Sequence, residues 1–476
     1  MRLTHIHIHH SRRHGYEIDM LNGPVLPKLL AFAVPLILSS VLQLTFNAAD
    51  VIVVGRFEGD TALAAVGAPG ALINLLVNLF LGLSVGANVV VARWRGAGDF
   101  RQTSLAVHTA VTLSLAGGVA VGLIGFLFAG TFLRWMNTPQ DVLPLATAYM
   151  RVYFLGMPAN MLYNFGAAIL RAIGDTRRPL MYLTVAGVVN VLLNIAFVAG
   201  FGMGVQGVAL ATIAAQLISA ALVTLCLTRT DGSIHLDLRR LGIDRARALE
   251  ITRVGLPAGL QGIFFSFSNV VIQSTVNGFG TVATAGNTVA SNIEGYIYVS
   301  MNAIYQAAIT FTSQNVGARR YDRIDRVARA ALLSVSGIGL AMGGFLMAFK
   351  RALFHIYTAD DAVIAAASIR SAIIAPTYFL CGMMDSMVGM LRGMGSSVTP
   401  MIVSVLGACL FRVLWIALAF PLNPTLNMLY ISYPISWIIT FSVHLICYFR
   451  LKRRKYAAAP ARERHTASDP GAGPDL

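Results

Sequence analysis

Charge is what this sequence has least of. Only 12% of its 476 residues are Asp, Glu, Lys or Arg, against roughly 25% in a soluble globular domain. That excludes a water-soluble fold for most of the chain, and its 56% hydrophobic content belongs in a bilayer. Cysteine is scarce too. Cys226, Cys381, Cys409 and Cys447 sit singly in apolar stretches with no CxxC spacing, so they read as small core residues rather than disulfides or metal ligands. HExxH and GxxxxGK[ST] are missing, and the one GxSxG, at Gly82–Gly86, lies inside an apolar run rather than on a strand-to-helix turn. Metalloprotease, serine hydrolase and ATP-driven readings therefore lack their parts, no enzyme, cofactor or metal centre is expected, and energy has to come from an ion gradient. The first fourteen residues, MRLTHIHIHHSRRH, contain five histidines but no apolar signal core, which excludes a cleaved secretory peptide. A disordered tail or an over-extended start is expected there in preference to a metal-binding tail.

What is present is a series of apolar stretches, each near the roughly 20 residues needed to cross a bilayer. Twelve are expected, at 29–54, 66–92, 105–129, 145–170, 180–200, 206–228, 251–278, 282–315, 328–349, 362–391, 400–420 and 426–449. With the amino end inside, 29 of the 36 Lys and Arg residues fall in cytoplasmic tails and loops, Arg171 and Arg392 among them, while Arg370 falls at an outer helix end. This positive-inside asymmetry predicts a multi-pass protein of the cytoplasmic membrane with both termini cytoplasmic. It also accounts for the net charge of +15 without nucleic acid as a partner.

The sequence repeats itself. At an offset of 221 or 222, Pro35 matches Pro257, Asn47 matches Asn269, and Gly96-Ala97 matches Gly317-Ala318. Leu170-Arg171, Gly174 and Pro179 likewise match Leu391-Arg392, Gly395 and Pro400, an LRxxGxxxxP pattern in each half. Six spans per half is an even number, so the repeats are parallel and related by an axis along the membrane normal. The predicted fold is all-α, with twelve transmembrane helices in two pseudo-symmetric six-helix lobes. Residues 1–28 form an amino tail, 29–228 the first lobe, 229–250 a cytoplasmic linker, 251–450 the second lobe and 451–476 a carboxyl tail.

Three of the 21 acidic residues fall well inside spans: Asp50, Glu294 and Asp385. A carboxylate at membrane depth costs about 2.5–3.5 kcal/mol even on the lenient insertion scale, which makes each a functional candidate. Gln43, Asn47 and Asp50 lie within about 60° of one another on a helix. That stripe favours an ion or proton site facing a wet cavity over a packing hydrogen bond. Asn287, Ser291, Glu294, Tyr298, Met301 and Tyr305 share a face of the eighth span, where Glu294 is expected to line a cavity rather than tie two helices. Asp385 points away from a stripe of Met383, Met387, Met390 and Met394. It either pairs with Arg412, read as the one cation well inside a span, or accepts a proton in exchange.

Read together, the chain resembles the multidrug and toxic compound extrusion (MATE) family over residues 28–450. The motifs in order are NAADVIVVG, RWRGAGD, LRAIGDTRRP, NVLLNIAFVAGFGMGVQGVALAT, QNVGARRYD and LRGMGSSVTP. The resemblance implies export of amphiphilic, usually cationic compounds in exchange for Na⁺ or H⁺. It also matches Asp50 to the family's first-span aspartate, Asn190 to a fifth-span asparagine and Thr212 to a sixth-span threonine of the amino-lobe ion site. Asn194 stands where many members have a second aspartate, so a Na⁺ cage of Asp50, Asn190, Asn194 and Thr212 is compatible and a proton-sharing carboxylate pair is not. Phe265 and Cys381 replace acids that some members carry in the second lobe.

The expectation is thus a secondary antiporter, working as a monomer among membrane lipids, that expels small amphiphilic organic cations by alternating access. Glu294 with Phe264, Phe265, Tyr298 and Tyr305 would hold cargo by charge, stacking and cation–π contact, alongside Gln43, Asn47 and Asn287. Pro35 and Pro257 would let helices bend. The rival is a flippase for lipid-linked saccharides. Such a carrier of anionic pyrophosphate calls for several cavity arginines, where Arg412 alone qualifies.

Overall fold

The computed structural model describes residues 16–67 and 69–456, so the histidine-rich start and most of the carboxyl tail lie outside the described residues. The first lobe runs α1 (Val25–Phe57), α2 (Gly59–Gly67), α3 (Gly70–Ala97), α4 (Phe100–Trp135), α5 (Leu143–Leu155), α6 (Met157–Ala172), α7 (Arg177–Asn194) and α8 (Gly204–Arg229). The second runs α9 (Arg245–Asn277), α10 (Thr281–Gly317), α11 (Ile324–His355), α12 (Asp361–Gly393), α13 (Val398–Ser404), α14 (Phe411–Leu418), α15 (Leu426–Tyr430) and α16 (Ser432–Tyr456). Ten helical rods among the described residues are long and apolar enough to cross a membrane. The other two of the twelve spans depart for visible reasons. The fourth breaks between Leu155 and Met157, where Gly156 precedes Pro158 in the first turn of α6. The eighth, α10, is 37 residues long, but Asn287, Ser291, Glu294, Gln306 and Gln314 dilute its hydropathy. Leucines and phenylalanines such as Leu123, Leu127, Phe345 and Leu418 stand exposed on the outer surface, as lipid-facing residues do.

The duplication is written in the backbone as well as the sequence. Gly174 and Gly395, both in the LRxxG pattern, take the left-handed conformation with φ of +96° and +83°. Two further matched positions, Gly98 and Arg319, do the same at +73° and +56°. Helix starts are set by aspartates: Asp99, Asp244 and Asp360 each accept a backbone N–H of the first turn, at 2.9–3.0 Å, as N-caps do. The joint between lobes is shorter than expected, because α9 already begins at Arg245. Residues 16–24 are not a free tail either. Asn315 donates to Met20 O at 3.2 Å, Arg323 to Gly23 O at 3.0 Å, and Ile18 N to Gly174 O at 3.3 Å, so this segment straps both lobes.

The lobes meet at one end, the end bearing the LRxxG turns. Gly82 and Gly86 of α3 face Gly255 and Gly259 of α9, four glycines in two GxxxG steps. A Cβ on Gly255 would stand 2.6 Å from Leu83 Cα, closer than two carbons can pack, which explains why glycine is needed there. Polar ties reinforce the seam: Thr310 donates to Asn88 Oδ1 at 3.1 Å, and Gln314 to Ala172 O at 2.6 Å. Leu29 and Phe32 of α1 complete it by packing into the second lobe's core beside Ala307 and Phe311.

Candidate functional site: one polar cavity in each lobe

Beyond the seam each lobe encloses a cavity. The first-lobe cavity, about 230 Å³, lies between α1, α6, α7 and α8, with Asn302, Ala303 and Gln306 of α10 in its wall. Gln43, Asn47 and Asp50 line it along one face of α1, and Asn190 and Thr212 line it from α7 and α8. The helical spacing of that stripe therefore translated directly into a shared wall. Asn194, fully buried, donates its amide to Asp50 and, at 3.4 Å, to Asn190 Oδ1. Its own Oδ1 is buried with no hydrogen-bond partner among the described residues. Asn194 ends the α-helical part of its span, and a π-helical turn follows at Ile195–Gly200. Such turns recur at functional sites because the extra residue re-aims side chains. Thr212 turns its hydroxyl to Val208 O at 3.0 Å, so it shares the cavity without bonding Asp50. Arg171, read from sequence as a loop cation, lines the same cavity.

The second-lobe cavity is larger, about 460 Å³, and differs more from expectation. Phe265, Tyr298, Tyr305, Asp385 and Arg412 do line it. Glu294, Asn287 and Phe264 do not. Arg370 donates to Glu294 Oε2 through Nε at 3.0 Å and Nη2 at 2.8 Å, and Ser371 reaches Oε1 at 3.3 Å. Arg370 also donates to Asn287 Oδ1 at 2.8 Å, an oxygen that Tyr430 shares at 3.1 Å. Glu294 and Asn287 are thus consumed in a buried network behind the wall, which makes Glu294 a tie between helices rather than the cavity-lining group expected. The cause is Arg370, which was assigned to an outer helix end and in fact stands on α12 facing the cavity. Phe264 is 44% exposed and lines neither cavity, being turned about 100° round the helix from Phe265.

Arg412 is not the one cation of its kind. Arg370, Arg392 and Arg412 all line the second-lobe cavity, all at most 9% exposed. Arg392 donates to the Tyr305 hydroxyl and, at 2.8 Å, to Gln261 Oε1. Arg412 donates to Ser436 Oγ at 3.0 Å and lies over the Tyr433 ring at 4.1 Å. Asp385 shares the space but comes within 4.0 Å of no cation among the described residues, so of its two alternatives, pairing with Arg412 or accepting a proton, the ion pair is not formed. The methionine stripe turns the other way, with Met387, Met390 and Met394 buried in the core as packing. Asn302 of α10 borders both cavities and links them. The overlooked arginines had a signal. Arg370, Tyr378, Cys381, Asp385 and Arg392 recur at spacings that keep them within about 80° on one helix, and all five line the cavity.

A multi-pass bundle of two matched six-helix lobes, each with a polar cavity opening beyond a common seam, is a membrane transporter by architecture. Comparison with known proteins makes that specific. The family model described as MatE matches the chain twice, at residues 35–196 and 257–418, reproducing the repeat read from Pro35 and Pro257. The chain belongs to the MATE family of multidrug efflux transporters. It is 28% identical over 381 residues to the probable multidrug resistance protein YoeA of Bacillus subtilis, covering 79% of this chain and 82% of that one. It is 26% identical over 350 residues to an FAD transporter of Shewanella oneidensis, covering 72% and 73%. Its fold matches a MOP superfamily transporter from Pyrococcus furiosus, described as having a binding pocket of reverse polarity. The TM-score there is 0.86 at 23% identity, over 92% of this chain and 98% of that one.

Proposed function

We propose that this chain is a secondary active antiporter that exports amphiphilic organic compounds across the cytoplasmic membrane, with both termini inside, by alternating access. Asp50, Asn190 and Asn194 hold the coupling ion, Na⁺ or H⁺, with Thr212 at the rim. The observation that carries this reading is the Asp50 carboxylate on a cavity wall at membrane depth, held by Asn194, whose own amide oxygen is left unpaired. An oxygen cluster of that kind suits a small cation, and occupancy by the ion would change the charge that α1 presents to the cavity. Mutual exclusion between ion and cargo, or a different lobe arrangement for each, then converts the ion gradient into export.

The expected cation-holding role of Glu294 finds no support, since Arg370 already neutralises it. Cargo contact in the second lobe falls instead to Phe265, Tyr298, Tyr305 and the arginines. A second reading, a carrier of lipid-linked saccharide pyrophosphates, gains from the same arginines, because three rather than one line the cavity. Purified monomeric protein in proteoliposomes discriminates the readings. Under antiport, counterflow of cargo follows an imposed Na⁺ gradient or an imposed pH gradient. Transport indifferent to both, with the membrane potential clamped, would refute ion coupling.

A further inference from the structure

We infer that the second-lobe cavity is an oxyanion site, built for an amphiphile that carries a phosphate-like head on an aromatic or apolar body. The inference rests on the transporter reading above and names the cargo chemistry of one of its cavities. Three guanidinium groups line this space, and the one carboxylate that lines it with them is Asp385. Glu294 balances Arg370 from behind. Two arginines, Arg392 and Arg412, therefore face one carboxylate that pairs with neither.

Both are buried, at 4% and 3% exposure, and both keep donors in reserve. Nε of Arg392 and Nη2 of Arg412 have no hydrogen-bond partner among the described residues. An uncompensated guanidinium inside a membrane lobe is costly. It is better explained by a ligand that supplies the missing charge than by packing, which a methionine would do at lower cost. The planar fork of donors suits the paired oxygens of a phosphate or carboxylate. Tyr305 and Gln261 hold Arg392 in place, and Ser436 with the Tyr433 ring holds Arg412, so the donors are fixed before the ligand arrives. The rest of the wall is aromatic. Tyr378 stacks on Trp437 with ring centroids 5.4 Å apart, and Phe265 and Tyr298 complete a surface for a flat apolar body. A volume near 460 Å³ is within the range of small-molecule sites.

The test is equilibrium dialysis of the full-length protein in phosphatidylcholine nanodiscs against three probes with one ring system: 1-naphthyl phosphate, 1-naphthol and 1-naphthylmethylammonium. The expected result is that the phosphate ester binds at least tenfold tighter than naphthol and the ammonium compound no tighter than naphthol. Arg412→Gln should remove the advantage of the ester and leave naphthol binding in place, which also reports folding. Arg412→Lys should keep part of the advantage, and Asp385→Asn should increase it. Displacement by inorganic phosphate identifies a free oxyanion as sufficient, and displacement by added phosphatidic acid alone identifies a lipid headgroup. Displacement by neither would overturn the site, as would tighter binding of the ammonium compound or an ester advantage unchanged in both Arg412 variants. No gradient is involved, so this binding can fail while Asp50-dependent transport stands, and the reverse.

Discussion

A single methyl group placed at the seam should decide which way the transporter faces. At Gly255 an added Cβ would lie 2.6 Å from Leu83 Cα and 2.9 Å from Gly82 O. Carbon atoms settle at about 3.5–4.0 Å, so α3 and α9 would have to separate by about 1 Å. Overpacking of that kind costs about 1–3 kcal/mol, and it burdens only the arrangement in which the two glycine steps touch. The balance between this arrangement and one opened at the seam should therefore move by about 5-fold to 150-fold in Gly255→Ala. Spin labels at Arg101 and Arg326, exposed positions on opposite lobes at the closed end, read the change by double electron–electron resonance once the four cysteines are replaced by alanine. The distance distribution should shift to longer values. Gly344→Ala is the matched control, because no heavy atom lies within 4 Å of its added Cβ. An unchanged distribution in Gly255→Ala would refute the claim that backbone contact at this seam holds the lobes together.

Other outcomes follow from the same contacts. Arg370→Ala strands the buried Glu294 carboxylate and should cost about 3–5 kcal/mol, seen as a fall in thermal unfolding temperature in detergent. The double variant Arg370→Met with Glu294→Gln should recover most of it. Met20→Ala empties a site 1% exposed between the lobes and should cost about 2–4 kcal/mol by the same measurement, which an unstructured tail residue would not. Asp360→Ala removes the cap of α12, whose carboxylate accepts from Ala362 N at 2.9 Å, and should cost about 1 kcal/mol.

Much of this architecture was legible because membrane helices announce themselves by length and apolarity, and because Pro35, Gly174 and Arg171 have counterparts one repeat later. The face of Asp50 was legible for a similar reason, since Gln43, Asn47 and Asp50 belong to one helix whose geometry is fixed. The second lobe was misread where the decisive partner sits on another element. Glu294 looked like a free carboxylate until Arg370, 76 residues away, was found bonded to it. Arg392 looked like a loop cation because its repeat partner Arg171 also sits beside a turn, yet both reach back into cavities. Long arginine side chains extend well beyond their own turn, and span boundaries drawn from apolar runs do not register that reach.

The central claim is that charge at Asp50 couples ion to cargo. It is tested most directly by Asp50→Asn in sealed proteoliposomes, with gradient-driven cargo counterflow measured beside naphthyl phosphate binding on the same preparation. The account predicts that counterflow falls to the level of protein-free vesicles while binding is retained. Counterflow at the parent rate, still following the imposed gradient, would contradict it.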